Sequence, residues 1–265
     1  MHQVNVSLKA RLSSTNSNPV VGSWISLAHT GVAEIMARAG FDFLVLDLEH
    51  SSMSLAQAED MIRVIGLHGT PVLARLSSHD WAQAKRVMDM GATGVIVPMI
   101  NSAEQAKAAV SAVYYPPRGT RGMGLARAQG YGTRFEEYRV WSANETVVIA
   151  QIEHVDGVRN MESIMKVDGV DGYIVGPYDL SSSMNLAGQF DAPLVKEALA
   201  TIREIGKKSG KPGGLHLVEP DEVKLKALID EGNRFIAYGV DFRMLDVAAR
   251  KGAAHSLTSK ERGRG

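Results

Sequence analysis

The chain contains no cysteine. That excludes disulfides, thiolate catalysis and a cysteine-held zinc ion. It carries no net charge, with 29 basic residues against 29 acidic ones. No run of Lys or Arg forms a stripe, so the electrostatic footprint of a nucleic-acid binder is missing. No apolar run approaches the roughly 20 residues of a membrane span. Residues 1–19 are polar and lack an apolar leader core. The expectation is a cytoplasmic protein that meets neither nucleic acid nor membrane. The Arg-Gly repeats of 119–132 follow no strand and open no helix, so they are not a phosphate loop.

What is present is a regular alternation. Apolar, β-branched runs at 20–26, 41–47, 71–76, 94–99, 146–153, 172–179, 211–217 and 234–241 read as strands. Segments with helical spacing lie between them, opened by capping residues such as Thr30, Ser54 and Ser102. Eight strands alternating with helices are the count of a (β/α)8 barrel, and 265 residues suit one such domain. The expected organisation is an arm over 1–18, a barrel over 19–256 and a flexible tail over 257–265. The loop at 114–135, rich in Gly, Pro, Arg and Tyr, is long enough to suggest a lid or a contact surface.

A barrel brings every strand's C-terminal end to one rim. The second strand ends in Asp47-Leu48-Glu49-His50, an imidazole beside two carboxylates that suits acid/base work. Asp47 is the first candidate to orient His50, with Asp89 the second. Arg75 closes an otherwise apolar strand, where it needs a partner: a protein carboxylate or a substrate oxygen. Glu153 and Asp179 end neighbouring strands, with Gln151 beside them. They either chelate one hard cation or form ion pairs and solvated strand ends. Gly176-Pro177-Tyr178-Asp179 makes a turn whose N–H groups could face a carboxylate. Trp24 is either a wall of the pocket or ordinary packing. No strand end carries the lysine that a Schiff base would require.

Over roughly residues 20–255 the chain resembles the HpcH/HpaI class II pyruvate aldolases, the 2,4-dihydroxyhept-2-ene-dioate aldolase group. The likeness rests on Gly22-Ser23-Trp24, Asp47-Leu48-Glu49-His50, Leu73-Ala74-Arg75, Tyr114-Tyr115-Pro116-Pro117 with Arg121-Gly122, Gln151-Ile152-Glu153 and Gly176-Pro177-Tyr178-Asp179-Leu180. The resemblance implies a (β/α)8 barrel, often with its last helix exchanged between subunits of a homo-trimer or homo-hexamer. It implies a divalent metal (Mg²⁺, Mn²⁺ or Co²⁺) held by Glu153 and Asp179, and a small 2-oxo acid and an aldehyde as substrates. Arg75 would meet the keto oxygen, and His50 would move protons with Asp47. Gln151 and the backbone over Gly176, Pro177, Tyr178 and Asp179 would hold the substrate, Trp24 would shape the acceptor side, and Glu49 and Asp89 would stand behind them. The implied reaction is reversible cleavage of a 4-hydroxy-2-oxo acid to pyruvate and an aldehyde. The alternative is a carbon–carbon condensing relative that uses oxaloacetate. Tyr178 departs from the small residue that such proteins often carry there.

Overall fold

The computed structural model describes residues 7–14 and 18–262. Eight parallel strands close into a barrel in chain order: β1 (Val20–Ile25), β2 (Phe43–Asp47), β3 (Val72–Arg75), β4 (Gly94–Val97), β5 (Val147–Ile152), β6 (Gly172–Val175), β7 (Gly213–Leu217) and β8 (Phe235–Val240). β1 pairs with both β2 and β8, which completes the closure. Most of these strands are buried on both faces, as continuous apolar runs require when helices cover the outside.

The barrel interior is filled by alternate residues of the strands. Phe43 and Phe235 stack in parallel at 4.6 Å, and Val45, Leu73, Ile96, Ile149 and Ile174 pack around them. Each such side chain contributes roughly 1.5–3 kcal/mol by leaving water. The lower end is plugged by α1 (Leu8–Ser13), whose Leu8 and Leu12 join this cluster. The expected arm is therefore a short helical stopper, with residues 1–6 and 15–17 outside the described part. Lys9 fastens it to Asp171 (2.9 Å) and to the Thr146 carbonyl (2.6 Å).

The outer layer comprises α2 (Thr30–Arg38), α3 (Leu55–Leu67), α4 (Trp81–Met90), α5 (Ala103–Val113), α6 (Phe135–Glu145), α7 (Val155–Met165), α8 (Pro177–Ser183), α9 (Pro193–Ser209), α10 (Glu222–Asp230) and α11 (Asp241–Arg262). Ser54 opens α3 with a capping box to Gln57, and Ser102 caps α5. At α2 the cap is His29, whose Nδ1 accepts from the Gly31 N–H; the expected cap, Thr30, is the first helical residue. The helix α11 runs to Arg262, so most of the expected tail is helical; residues 263–265 lie outside the described part. Among the described residues no helix is long and apolar enough to cross a membrane.

The 114–135 segment is not a lid. It follows α5, which runs down the barrel, so it lies at the end away from the strand C-termini. Tyr114, Tyr115, Arg121 and Gln129 are buried in it. Arg121 packs its guanidinium over the Tyr115 and Tyr138 rings and pairs with Asp89 at 2.5 Å.

Candidate active site

The rim at the strand C-termini gathers Asp47, Glu49, His50, Arg75, Gln151, Glu153 and Asp179. Asp47 ends β2 and Arg75 ends β3, and the sheet register sets them side by side. The contact is bidentate: Arg75 Nε donates to Oδ1 (3.0 Å) and Nη2 to Oδ2 (2.7 Å). The N–H groups of Glu49 and His50 also donate to Asp47 Oδ1, at 3.0 and 3.1 Å. Burial by itself would raise the Asp47 pKa. The Arg75 bonds and the two backbone donors outweigh it and hold this carboxyl below its ordinary range.

This corrects two expectations. The Asp47 carboxylate holds Arg75 and the backbone of His50, not its ring. The His50 ring is mostly exposed, with Glu49 Oε2 at 3.9 Å from Nε2. Asp89 sits near the C-terminal end of α4, bound to Arg121, away from the rim of this chain. It orients Arg121 rather than His50.

Trp24 is also not an open wall. It is buried (1 % exposed), with the Arg75 guanidinium 4.3 Å above its ring. On another side it stacks on His216 at 4.8 Å.

Opposite this group stand the acids. Glu153 follows β5 and is 3 % exposed. Its Oε2 accepts from Gln151 Nε2 (2.5 Å) and its Oε1 from the Met99 N–H (2.7 Å). Burial pushes the Glu153 pKa up to about 7; Gln151 and Met99 oppose the shift, while Glu49 and Asp179 add to it. Glu49 is likewise raised, first by burial, against the pull of Arg75 and with the push of Asp47 and Asp179. Its Oε2 lies 3.2 Å from Arg75 Nη1 yet makes no hydrogen bond. Gly176 in the turn lies so close to Glu153 that a β-carbon there would displace the carboxylate. The turn leads into α8, where Asp179 occupies the first turn and Tyr178 is exposed, edge-on to Phe190 at 4.9 Å.

Three carboxylates thus share one edge of the rim; the nearby cation, Arg75, pairs with Asp47 and with Glu49, which leaves Glu153 and Asp179 without a cation among the described residues. The buried Glu153, its pKa raised by burial and by Glu49 and Asp179, fits a hard cation with oxygen ligands. Among the described residues no three His, Cys, Asp or Glu side chains converge as ligands. Glu153 and Asp179 would leave the other positions to water and substrate, as Mg²⁺-type ions prefer.

Sequence reading missed two contributors, Met99 and Asp241, and set a third, His216, near the end of the seventh strand as a candidate lining of the pocket. Met99 has a positive φ of 52°, a conformation that aims its N–H at Glu153. Asp241 accepts from the Ser26 and Leu27 N–H groups and pins the loop after β1. His216 stacks below the site. Of the two that were missed, Asp241 carried a usable signal, as an acid at the end of an apolar strand.

Comparison with known proteins identifies the family and matches the fold. The model of the HpcH/HpaI aldolase/citrate lyase family matches residues 21–247. A 4-hydroxy-2-oxovalerate aldolase from Novosphingobium aromaticivorans is 40% identical over 228 residues, covering 83% of this chain and 84% of its own. A hydroxypyruvate/pyruvate aldolase from Roseobacter denitrificans is 38% identical, over 84% and 87% of the two chains. The crystal structure of a family member from Burkholderia cenocepacia superposes with a TM-score of 0.88 at 29% identity, over 94% of this chain and 98% of that one. The chain belongs to the HpcH/HpaI aldolase/citrate lyase family.

Proposed function

We propose that the protein is a divalent-metal-dependent aldolase that cleaves a 4-hydroxy-2-oxo acid reversibly into pyruvate and an aldehyde. The observation that carries the reading is the meeting of one pre-oriented cation, Arg75, with a carboxylate group that lacks a cation of its own. Both face the place where a 2-oxo acid would develop negative charge. Glu153 and Asp179 would hold Mg²⁺, Mn²⁺ or Co²⁺, which when bound polarises the keto oxygen and lowers the energy of the enolate. Arg75 keeps N–H groups on its terminal nitrogens after binding Asp47, and these donate to the same oxygen. The pair with Asp47 fixes the guanidinium before the substrate arrives, so little reorganisation accompanies charge development. His50 is accessible at the rim and accepts the C4 hydroxyl proton as the C3–C4 bond breaks. The Gln151 amide holds Glu153 in place, and the free N–H groups in the first turn of α8 suit the substrate carboxylate.

A homo-trimer or homo-hexamer that exchanges α11 accompanies this proposal. Two features support it. The helix α10 has no buried residue, and Phe242, Leu245 and Val247 on α11 are exposed.

The test is the half-reaction. Metal-stripped protein is given pyruvate in D₂O, with and without Mn²⁺, and the methyl protons are followed by NMR. Exchange that needs Mn²⁺ and disappears in Glu153→Ala is the expected outcome. Folded, Mn²⁺-loaded protein with no exchange would sink the proposal and favour the condensing alternative.

A further inference from the structure

We infer that Trp24 and His216 are positioning residues, a stacked aromatic floor that fixes the plane of the Arg75 guanidinium while its edge faces Asp47, Glu49 and the substrate. The inference rests on the proposed pyruvate chemistry and assigns these two residues a part in it.

The floor crosses the barrel. Arg75 comes from β3, Trp24 from β1 and His216 from β7. The guanidinium lies 4.3 Å over the indole, and the indole lies 4.8 Å from the imidazole with 23° between their planes. A guanidinium held only by its edge to Asp47 can still pivot about that edge. Contact on its face removes the pivot, and a cation over a dry indole is attracted by the ring's negative face.

His216 is itself fixed from the far side. The β1–β8 pairing skips one residue between Gly22/Ala237 and Trp24/Val240, so β8 carries a bulge. Gly239 in that bulge has φ +66°, and a β-carbon there would strike Met244. The bulge presents the Gly239 carbonyl to His216 Nε2 at 3.1 Å. The carbonyl accepts, so Nε2 carries a proton. Burial pushes the His216 pKa down to about 4, and the nearby Arg75 cation acts in the same direction. A neutral ring suits this place, since a second cation under the indole would compete with Arg75 for the same π-system. Trp24 Nε1 has no hydrogen-bond partner among the described residues, so the indole is held here by stacking and packing.

Two readouts on wild type, Trp24→Leu and Trp24→Phe test the assignment. The first is the Arg75 Nε–H resonance in ¹⁵N-labelled protein, assigned by its loss in Arg75→Lys. It needs no turnover. Wild type and Trp24→Phe should show a ring-shifted, slowly exchanging signal, and Trp24→Leu should lose the shift. The second is metal-dependent deuterium exchange into pyruvate, resolved into kcat and KM. Trp24→Leu should lower kcat about tenfold with KM within about twofold, and Trp24→Phe should recover most of the loss. Exchange involves no aldehyde, so if Trp24 were only an acceptor wall, exchange would be untouched and the inference overturned. An unmoved Arg75 resonance in folded Trp24→Leu overturns it as well. Should Trp24→Leu not fold, His216→Leu against His216→Phe supplies the same pair of readouts. A wild type without exchange but with the shifted resonance removes the aldolase proposal and leaves the floor standing.

Discussion

On the β1–β3 side of the rim, Asp47 and Arg75 satisfy each other. Four hydrogen bonds end on the Asp47 carboxylate, and Arg75 is held by its edge and its face. On the β5–β6 side, Glu153 gathers two donors but, among the described residues, no cation, with Asp179 nearby and Glu49, itself paired with Arg75 at 3.2 Å, adding negative charge. The first half is finished by the chain itself. The second half is finished only by something added. Shifts of opposite sign on two carboxyls with similar burial, Asp47 lowered and Glu153 raised to about 7, express that difference. On the proposed reading, a site that binds a cation reversibly keeps one half rigid and leaves the other in want of charge.

The comparison breaks most visibly at Glu153. In Glu153→Gln the exchange rate should fall by about 10³-fold or more, because the acidic half can no longer hold a cation strongly. Stability should move the other way. The folded-state pKa of Glu153 lies above its ordinary value of 4.5, so its contribution to stability is greatest at low pH and is lost as pH rises through about 7. At pH 8 the metal-stripped Glu153→Gln protein should therefore melt above metal-stripped wild type. Added Mn²⁺ should raise the melting point of wild type and leave that of the variant nearly unchanged. Calorimetry checks both statements, and a variant that melts lower than wild type would contradict the reading of a charge-strained half.

Arg75→Lys attacks the finished half. The lysine keeps the positive charge but loses the fork that grips both Asp47 oxygens and the flat face that lies on Trp24. Exchange should drop about 10²-fold, the scale of losing one oriented donor to a developing oxyanion. Stability should also fall, by less than the roughly 3–5 kcal/mol that follows removal of one partner of a buried pair, since an ammonium remains. The two halves thus answer in opposite ways: the acidic variant loses activity and gains stability without metal, while the Arg75 variant loses both. Melting curves and exchange rates on the same samples read the contrast.

The barrel was legible because its signal is repetition. Eight apolar runs such as Phe43-Leu44-Val45-Leu46 can be read one by one, and closure follows from their number. The acids were legible because each follows an apolar run, although Glu153 comes directly after β5 while Asp179, expected at the end of a strand, lies in the first turn of α8. The partner choices were not. Asp47 has His50 three residues away in the sequence, yet its carboxylate binds Arg75, 28 residues on, because strand register outranks chain proximity. Asp89 looked available as an orienter, but its place near the end of a descending helix puts it at the other end of the barrel. Trp24, His216 and Gly239 come from three strands and meet through a bulge, which no local pattern announces.

The smallest effect belongs to His216. Its folded-state pKa of about 4 lies below its ordinary 6.5. A depressed value means a contribution to stability that is present above about 6.5 and lost as pH falls through 4. His216 taken alone should therefore lower the melting point progressively between these limits, against the opposite trend from Glu153, which is common to wild type and the His216 variant. His216→Phe keeps a ring on the floor and has nothing to protonate, so its melting point should fall less steeply, with the gap widest near the acid end. The Asp47 carboxyl also weakens the fold in acid, but its lowered pKa places that loss below the ordinary carboxylate range. In the window from pH 6.5 to 5 the difference between the two proteins therefore reports the imidazole. Parallel melting curves there would mean that His216 is not the neutral ring that the stack under Arg75 requires.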